Sequence, residues 1–244
     1  MSAVVEQAAR PRADLRQVSR VLAAVILPIG PAAVAGLRFI LPYTTADDSS
    51  EVVRLVAAHQ TAQSAVVWLG LIACLTLVSG VIFAGRVVGR AAPRLAATAT
   101  VLLVLGYLSM AWLTVGDAYL LSGIRQNLPA DSLAAMYDGV HPAATVAAVL
   151  FVLGHVLGTI LLGVGMLRGR VVPVWAAVAT IAAQPIHFVA AVIVPSPSLD
   201  LFGWGLNAVG FAALSFAVLR MNDDEWAPAP QQPYRSSDAA GSGA

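Results

Sequence analysis

The chain reads as an all-α membrane protein, a polytopic bundle of six transmembrane helices with both termini in the cytoplasm. Three observations lead there. Of its 244 residues, 11% are charged and 59% are hydrophobic, whereas a soluble domain has about 25% and 45–50%. Mean hydropathy is +0.80. The charges leave six long gaps, at 21–37, 55–85, 95–116, 139–167, 171–199 and 201–219. Each gap fits one helix of the ~20 apolar residues that a bilayer demands, since lipid offers the backbone no hydrogen bonds. A soluble fold of this size lacks the interior to hide so much apolar surface. Soluble enzymes, nucleic-acid binders and disordered regulators are therefore excluded.

Taken in order, the spans fall at roughly 20–41, 62–85, 95–117, 143–167, 172–194 and 201–220, between a basic lead-in at 1–19 and a tail at 221–244. The transmembrane domain is thus 20–220. In the first span, Arg-rich residues, an apolar run and Ala33-Val34-Ala35 resemble a signal peptide with its cleavage site. Apolar character continues through Leu37, Phe39, Ile40 and Leu41, which favours an uncleaved span. Pro28, Pro31 and Pro185 lie inside helices and each removes a backbone donor. Gly154-x-x-x-Gly158, followed by Gly163 and Gly165, gives the fourth span a smooth face for close packing, within the chain rather than across a dimer. The connections 42–61 and 118–142 are long and the others tight. The tail is rich in Pro, Ser, Gly and Gln and reads as disordered.

Arginine sets the orientation. All 14 basic residues are Arg, and net charge is +1. Eleven (Arg10, Arg12, Arg16, Arg20, Arg86, Arg90, Arg94, Arg168, Arg170, Arg220, Arg235) fall on the side of the termini, and Arg38, Arg54 and Arg125 fall on the other. The positive-inside rule then predicts a multi-pass protein of the cell membrane with cytoplasmic termini. Cys74 has no partner for an internal disulfide and reads as a small buried hydrophobe.

In this placement no carboxylate or arginine lies deep in a span, which weighs against pumps and channels built on buried charge. What remains is imidazole, amide, hydroxyl and boundary-carboxylate chemistry. Asp117 ends the third span and is the candidate acid; His187 and His155 are candidates to orient it or remove a proton. His155 and Thr159 share a face, and Thr180, Gln184 and His187 form a polar stripe. Trp68, Trp112, Tyr107, Gln184, Phe188, Trp204, Asn207 and His59 are candidates to line an outer-half pocket, with His141 at its rim. The simplest role for Trp112, Trp175 and Trp204 is an interfacial belt. No metal-ligand pattern appears, and no cofactor or nucleic-acid partner is implied. The bilayer is the expected partner; a hydrophobic small molecule is the expected substrate.

Three functions fit these residues. One is an intramembrane enzyme acting on a lipid-like substrate, such as an isoprenoid cyclase or isomerase, which needs a proton donor, a dry cavity and aromatic faces. Another is a non-catalytic accessory, resistance or transport-associated protein; no inverted repeat marks a self-sufficient transporter. The third is a b-type haem protein, although this placement puts His155 and His187 about one helical turn apart in depth.

The stretch Gly154-His155-Val156-Leu157-Gly158-Thr159-Ile160-Leu161-Leu162-Gly163, then Arg168 and Val172-Pro173-Val174-Trp175-Ala176, resembles the later half of a family of small six-helix bacterial membrane proteins of unknown function, of actinobacterial type. That resemblance implies the layout and no activity. Size and helix count are also similar to those of integral-membrane terpene cyclases; this layout-only likeness carries over no residue.

Overall fold

The computed structural model describes residues 14–227. Its helices are α1 (Arg16–Ile40), α2 (Ser49–Ala58), α3 (Gln60–Gly89), α4 (Pro93–Arg125), α5 (Ala130–Asp138), α6 (Pro142–Arg168), α7 (Val174–Phe188, continued by a π-helical turn at Val189–Ile193), α8 (Pro197–Arg220) and the single turn α9 (Asp223–Trp226). Among the described residues, six helices are long and apolar enough to cross a membrane: α1, α3, α4, α6, α7 with its π turn, and α8.

Each long helix packs against the next in chain order, and α8 closes on α1. The six form a ring, α1–α3–α4–α6–α7–α8. Its interior is apolar toward the terminal end, where Leu77, Leu103, Leu162, Met166, Phe211 and Leu214 are all buried. Such helices gain little from burial, because lipid tails are as apolar as Leu, so close backbone approach must supply the packing energy. Glycine makes that approach possible. A methyl group on Gly154 would lie 2.6 Å from the Leu102 carbonyl oxygen and 2.9 Å from the Gly106 Cα. The small-residue face of α6 is thus spent inside the chain, against α4.

The expected spans are all present, with differences at their ends. α4 runs eight residues past Asp117, to Arg125. Asp117 therefore sits two turns inside a helix rather than at its end. The two long connections are largely helical: α2 and α5 pack together and onto the end of α4 through Val52, Val53, Val56, Leu120, Leu121 and Leu133. Asp48 starts α2 by accepting from the Glu51 N–H, 2.9 Å away, a standard N-cap. α1 stays helical through Pro28 and Pro31.

At the terminal end, α9 falls in the stretch read as tail. Asn222 and Glu225 form a capping box there. Trp226 is fully buried; its indole N–H donates to the Ser19 hydroxyl at 2.8 Å, and the Arg86 guanidinium stands 4.7 Å from its ring centroid. Arg16 and Arg20 pair with Asp224 and Asp223. One aromatic residue thus gathers charges from α1, α3 and α9. Residues 1–13 and the tail beyond 227 lie outside the described residues.

Candidate functional site

The polar residues gather in the half of the ring away from the termini. The α7–α8 hairpin sets the level. His187 lies eight residues before the middle of the tight connection and Asp200 five residues after it, and the hydrogen bond between them shows that they meet across the hairpin. Gly203 closes the gap: a methyl group there would lie 2.9 Å from the His187 backbone nitrogen and 3.0 Å from the Ala183 carbonyl oxygen.

The result is a chain of three side chains, buried at His187 and Asp200 and part-buried at Arg38. His187 Nδ1 stands 2.5 Å from Asp200 Oδ1, and Arg38 Nε donates to Asp200 Oδ2 at 2.5 Å. Asp200 is 1% exposed. A charge in that setting persists only with compensation, and Arg38, from the last turn of α1, provides it. An ionised carboxylate only accepts, so His187 carries its proton on Nδ1 and offers Nε2 as a base. Nε2 takes no partner among the described residues.

The second imidazole is in contact with the first. The His155 and His187 ring centroids are 5.3 Å apart. Trp204 lies nearly parallel to His155 at 5.8 Å and edge-on to His187 at 5.4 Å, and Phe151 stacks on His155 at 4.3 Å. His155 Nδ1 meets the Phe151 carbonyl oxygen at 2.5 Å. A carbonyl cannot donate, so this Nδ1 also holds the hydrogen and Nε2 again faces inward as an acceptor. The separation of the ring centroids is about one helical turn, so the offset expected in depth does not keep the two rings out of contact. The direct ring contact, with Trp204 and Phe151 against the imidazoles, leaves no slot for a porphyrin between them.

Below the histidines, Tyr107 from α4 lies beside Thr159 of α6 and Asn207 of α8. Gln184 of α7 is fully buried as well. The side-chain polar atoms of Tyr107, Thr159, Gln184 and Asn207, with Trp204 Nε1 and His155 Nε2, are enclosed and have no partner among the described residues. An unmade bond to a buried polar group costs about 1–3 kcal/mol.

Asp117 belongs to a separate cluster. It accepts from the Tyr43 hydroxyl at 2.5 Å and from Gln63 Nε2 at 2.9 Å, linking α4 to α3 and to the connection before α2. Burial, and then the Asp117 charge, push the Tyr43 phenol well above the usual tyrosine range. Thr45, from the same connection, donates to the Ala191 carbonyl and so satisfies the π turn.

Of the candidates from sequence, His155, His187, Tyr107, Gln184, Trp204 and Asn207 converge inside the ring. Trp68 and Trp112 are 65% and 52% exposed on the outward faces of α3 and α4, where lipid or interface would meet them. Phe188 lies partly exposed beside His187. His59 ends α2, with Nδ1 donating to the Leu55 carbonyl, and His141 caps α6 by accepting from the Ala143 N–H. Both histidines terminate helices, outside the polar core. The expected outer-half pocket is instead a recess of about 10 Å³ beside Asp200, lined by Arg38, Tyr43 and Ser196, with room for about one water.

Arg38, Asp200 and Tyr43 were not singled out from the sequence. The signal for the first two was there. In α1 the buried stripe Ala24, Leu27, Pro31, Val34 reaches Arg38 at the next helical step, and in α8 Asp200 leads the stripe Gly203, Trp204, Asn207, Phe211. Ser196-Pro197 is a helix start that places Asp200 inside α8. Searches of protein-family models, curated proteins and solved structures give no match to this chain.

Proposed function

We propose that this is an integral membrane enzyme that performs acid–base chemistry on a lipid-like molecule, with His187 moving the proton. The observation that carries the reading is Asp200, buried in a helix long enough to span a membrane and held at 2.5 Å from both His187 Nδ1 and Arg38 Nε. A carboxylate in that place fixes the tautomer and ring orientation of the imidazole, as the Asp of a hydrolytic triad does. Of the two carboxylates in the long helices, Asp200 takes the leading role, because it is the buried one and the one in contact with a histidine. Asp117 stays engaged with Tyr43 and Gln63. His155 is positioned to share the proton, while Trp204 and Phe151 present ring faces to a cation.

The substrate class follows from approach and acid strength. Phe188, Val189 and Val192, next to His187 in sequence, are exposed on α7 and its π turn, so entry is lateral, from the bilayer. An imidazolium is acidic enough to protonate an oxygen but not an unactivated alkene. We therefore propose an oxygen-bearing isoprenoid, such as an epoxide or enone, protonated on oxygen and closed or isomerised with loss of a proton to the imidazole. With cytoplasmic termini, the site faces the outer leaflet.

The test is incubation of the purified protein in lipid nanodiscs with a synthetic polyprenyl epoxide in D2O, followed by mass spectrometry. Cyclised or isomerised product is expected; His187→Gln and Asp200→Asn lose roughly a hundredfold in rate, and Trp68→Leu retains it. Absence of product, or variants as active as the parent, refutes the reading. The non-catalytic accessory alternative has one observation in its favour. The recess at Asp200 is far below the ~300–1,000 Å³ of common ligand sites. Under that reading the Arg38–Asp200–His187 chain only locks three helices together, and a stoichiometric partner co-purifies.

A further inference from the structure

We infer that the centre of the ring holds a chain of internal water molecules, running from the recess at Arg38 and Asp200 down to Tyr107 and Asn207. The site is built from four helices. Tyr107 (α4), His155 and Thr159 (α6), Gln184 (α7), and Trp204 and Asn207 (α8) are each 1% exposed or less. All of them carry enclosed polar atoms that no group among the described residues satisfies. They are not scattered. On α8, Asp200, Trp204 and Asn207 occupy one face over seven residues, a column of about 10 Å. His155 stacks on Trp204, and the Tyr107 hydroxyl lies beside Thr159 and Asn207 without hydrogen-bonding to either.

The chemistry selects water over other occupants. The column mixes donors (the indole N–H, hydroxyls and amide N–H groups) with acceptors (amide oxygens and an imidazole Nε2) and carries no net charge of its own. An ion would find no counter-charge below Asp200, which Arg38 already neutralises. A buried water uses about three polar partners, so the set serves on the order of two or three molecules. Asp200, at the upper end of the α8 face, also lines the recess, which has room for about one more. The lower end is closed by Leu103, Leu162, Phe211 and Leu214. The column is therefore blind, filled and emptied only from the end away from the termini. It gives the His155 imidazole a hydrogen-bonded partner at Nε2, whether or not His187 does chemistry.

Radiolytic hydroxyl-radical footprinting of the intact protein in nanodiscs tests this, because bound water generates radicals beside side chains that bulk water never reaches. Trp226 is the internal control: it is equally buried, but its N–H is satisfied by Ser19. Trp204 and Tyr107 are expected to oxidise roughly tenfold faster than Trp226 if ordered water lies against them. Gln184→Leu with Asn207→Leu, which strips the amides from the column, is expected to bring the Trp204 rate down to that of Trp226. Equal and slow oxidation of Trp204, Tyr107 and Trp226 in the unsubstituted protein overturns the inference, even if the double variant fails to fold.

Discussion

Replacing Gly203 by Ala separates the α7–α8 packing argument from general helix effects, because a matched control lies two residues away on α8. A methyl at Gly203 meets backbone on both sides, the His187 nitrogen at 2.9 Å and the Ala183 carbonyl oxygen at 3.0 Å, while a methyl at Gly205 meets nothing within 4 Å. Backbone cannot swing aside as a side chain can, so α7 must move away from α8. Overpacking of this kind costs about 1–3 kcal/mol. Gly205→Ala gains about 0.5–1 kcal/mol, because Ala restricts the unfolded backbone and favours helix. The two variants should therefore lie about 1.5–4 kcal/mol apart. Reversible unfolding in mixed micelles with increasing SDS, followed by tryptophan near-ultraviolet dichroism, measures both. A shift of α7 also lengthens the His187–Asp200 contact, so Gly203→Ala should perturb the His187 imidazole resonances and Gly205→Ala should not. Equal stabilities, or unchanged His187 resonances in Gly203→Ala, would refute the claim that this glycine sets the level of the hairpin.

Two further expectations follow from the site. Arg38→Gln and Asp200→Asn should each destabilise, with a coupling of about 1–3 kcal/mol in the double-mutant cycle, since Asp200 is buried and Arg38 is its closest cation; strictly additive losses would show that the pair is decorative. Tyr43 keeps its proton in the folded state above the usual tyrosine range, through burial and the charge of Asp117. Its stabilising effect is complete below the unfolded value of about 10 and declines as pH rises past it. An ultraviolet phenolate titration should find late-ionising tyrosine relative to N-acetyl-tyrosinamide, and Tyr43→Phe should reduce the amplitude of that late phase by one residue. A unchanged titration in Tyr43→Phe would locate the effect elsewhere.

How much was legible depends on which interactions are local. The six spans follow from apolar runs, because a bilayer satisfies no backbone groups and so dictates length and composition one helix at a time. His155, Gln184, His187 and Asn207 stand out for the same reason, as polar groups at a depth where polarity is expensive. Arg38 and Asp200 each lie near the end of an apolar run, where charge is ordinarily solvated, so position along the chain does not mark them. Their helical register pointed inward, but only the closure of α8 on α1 put one beside the other. Trp68 and Trp112 show the converse. Their residue type suits a cavity as well as a membrane surface, and the face of the helix decides between them.

The amino-acid sequence by itself determined the class of the protein, the number of its spans and the polar residues available for chemistry. Tertiary structure decided that those residues form two clusters, that a carboxylate meets a histidine and an arginine, and that the tryptophans divide between core and surface. The physical reason is one of range. Hydropathy acts residue by residue along the chain, whereas the contact of Arg38 with Asp200 joins positions 162 residues apart and depends on how six helices close into a ring.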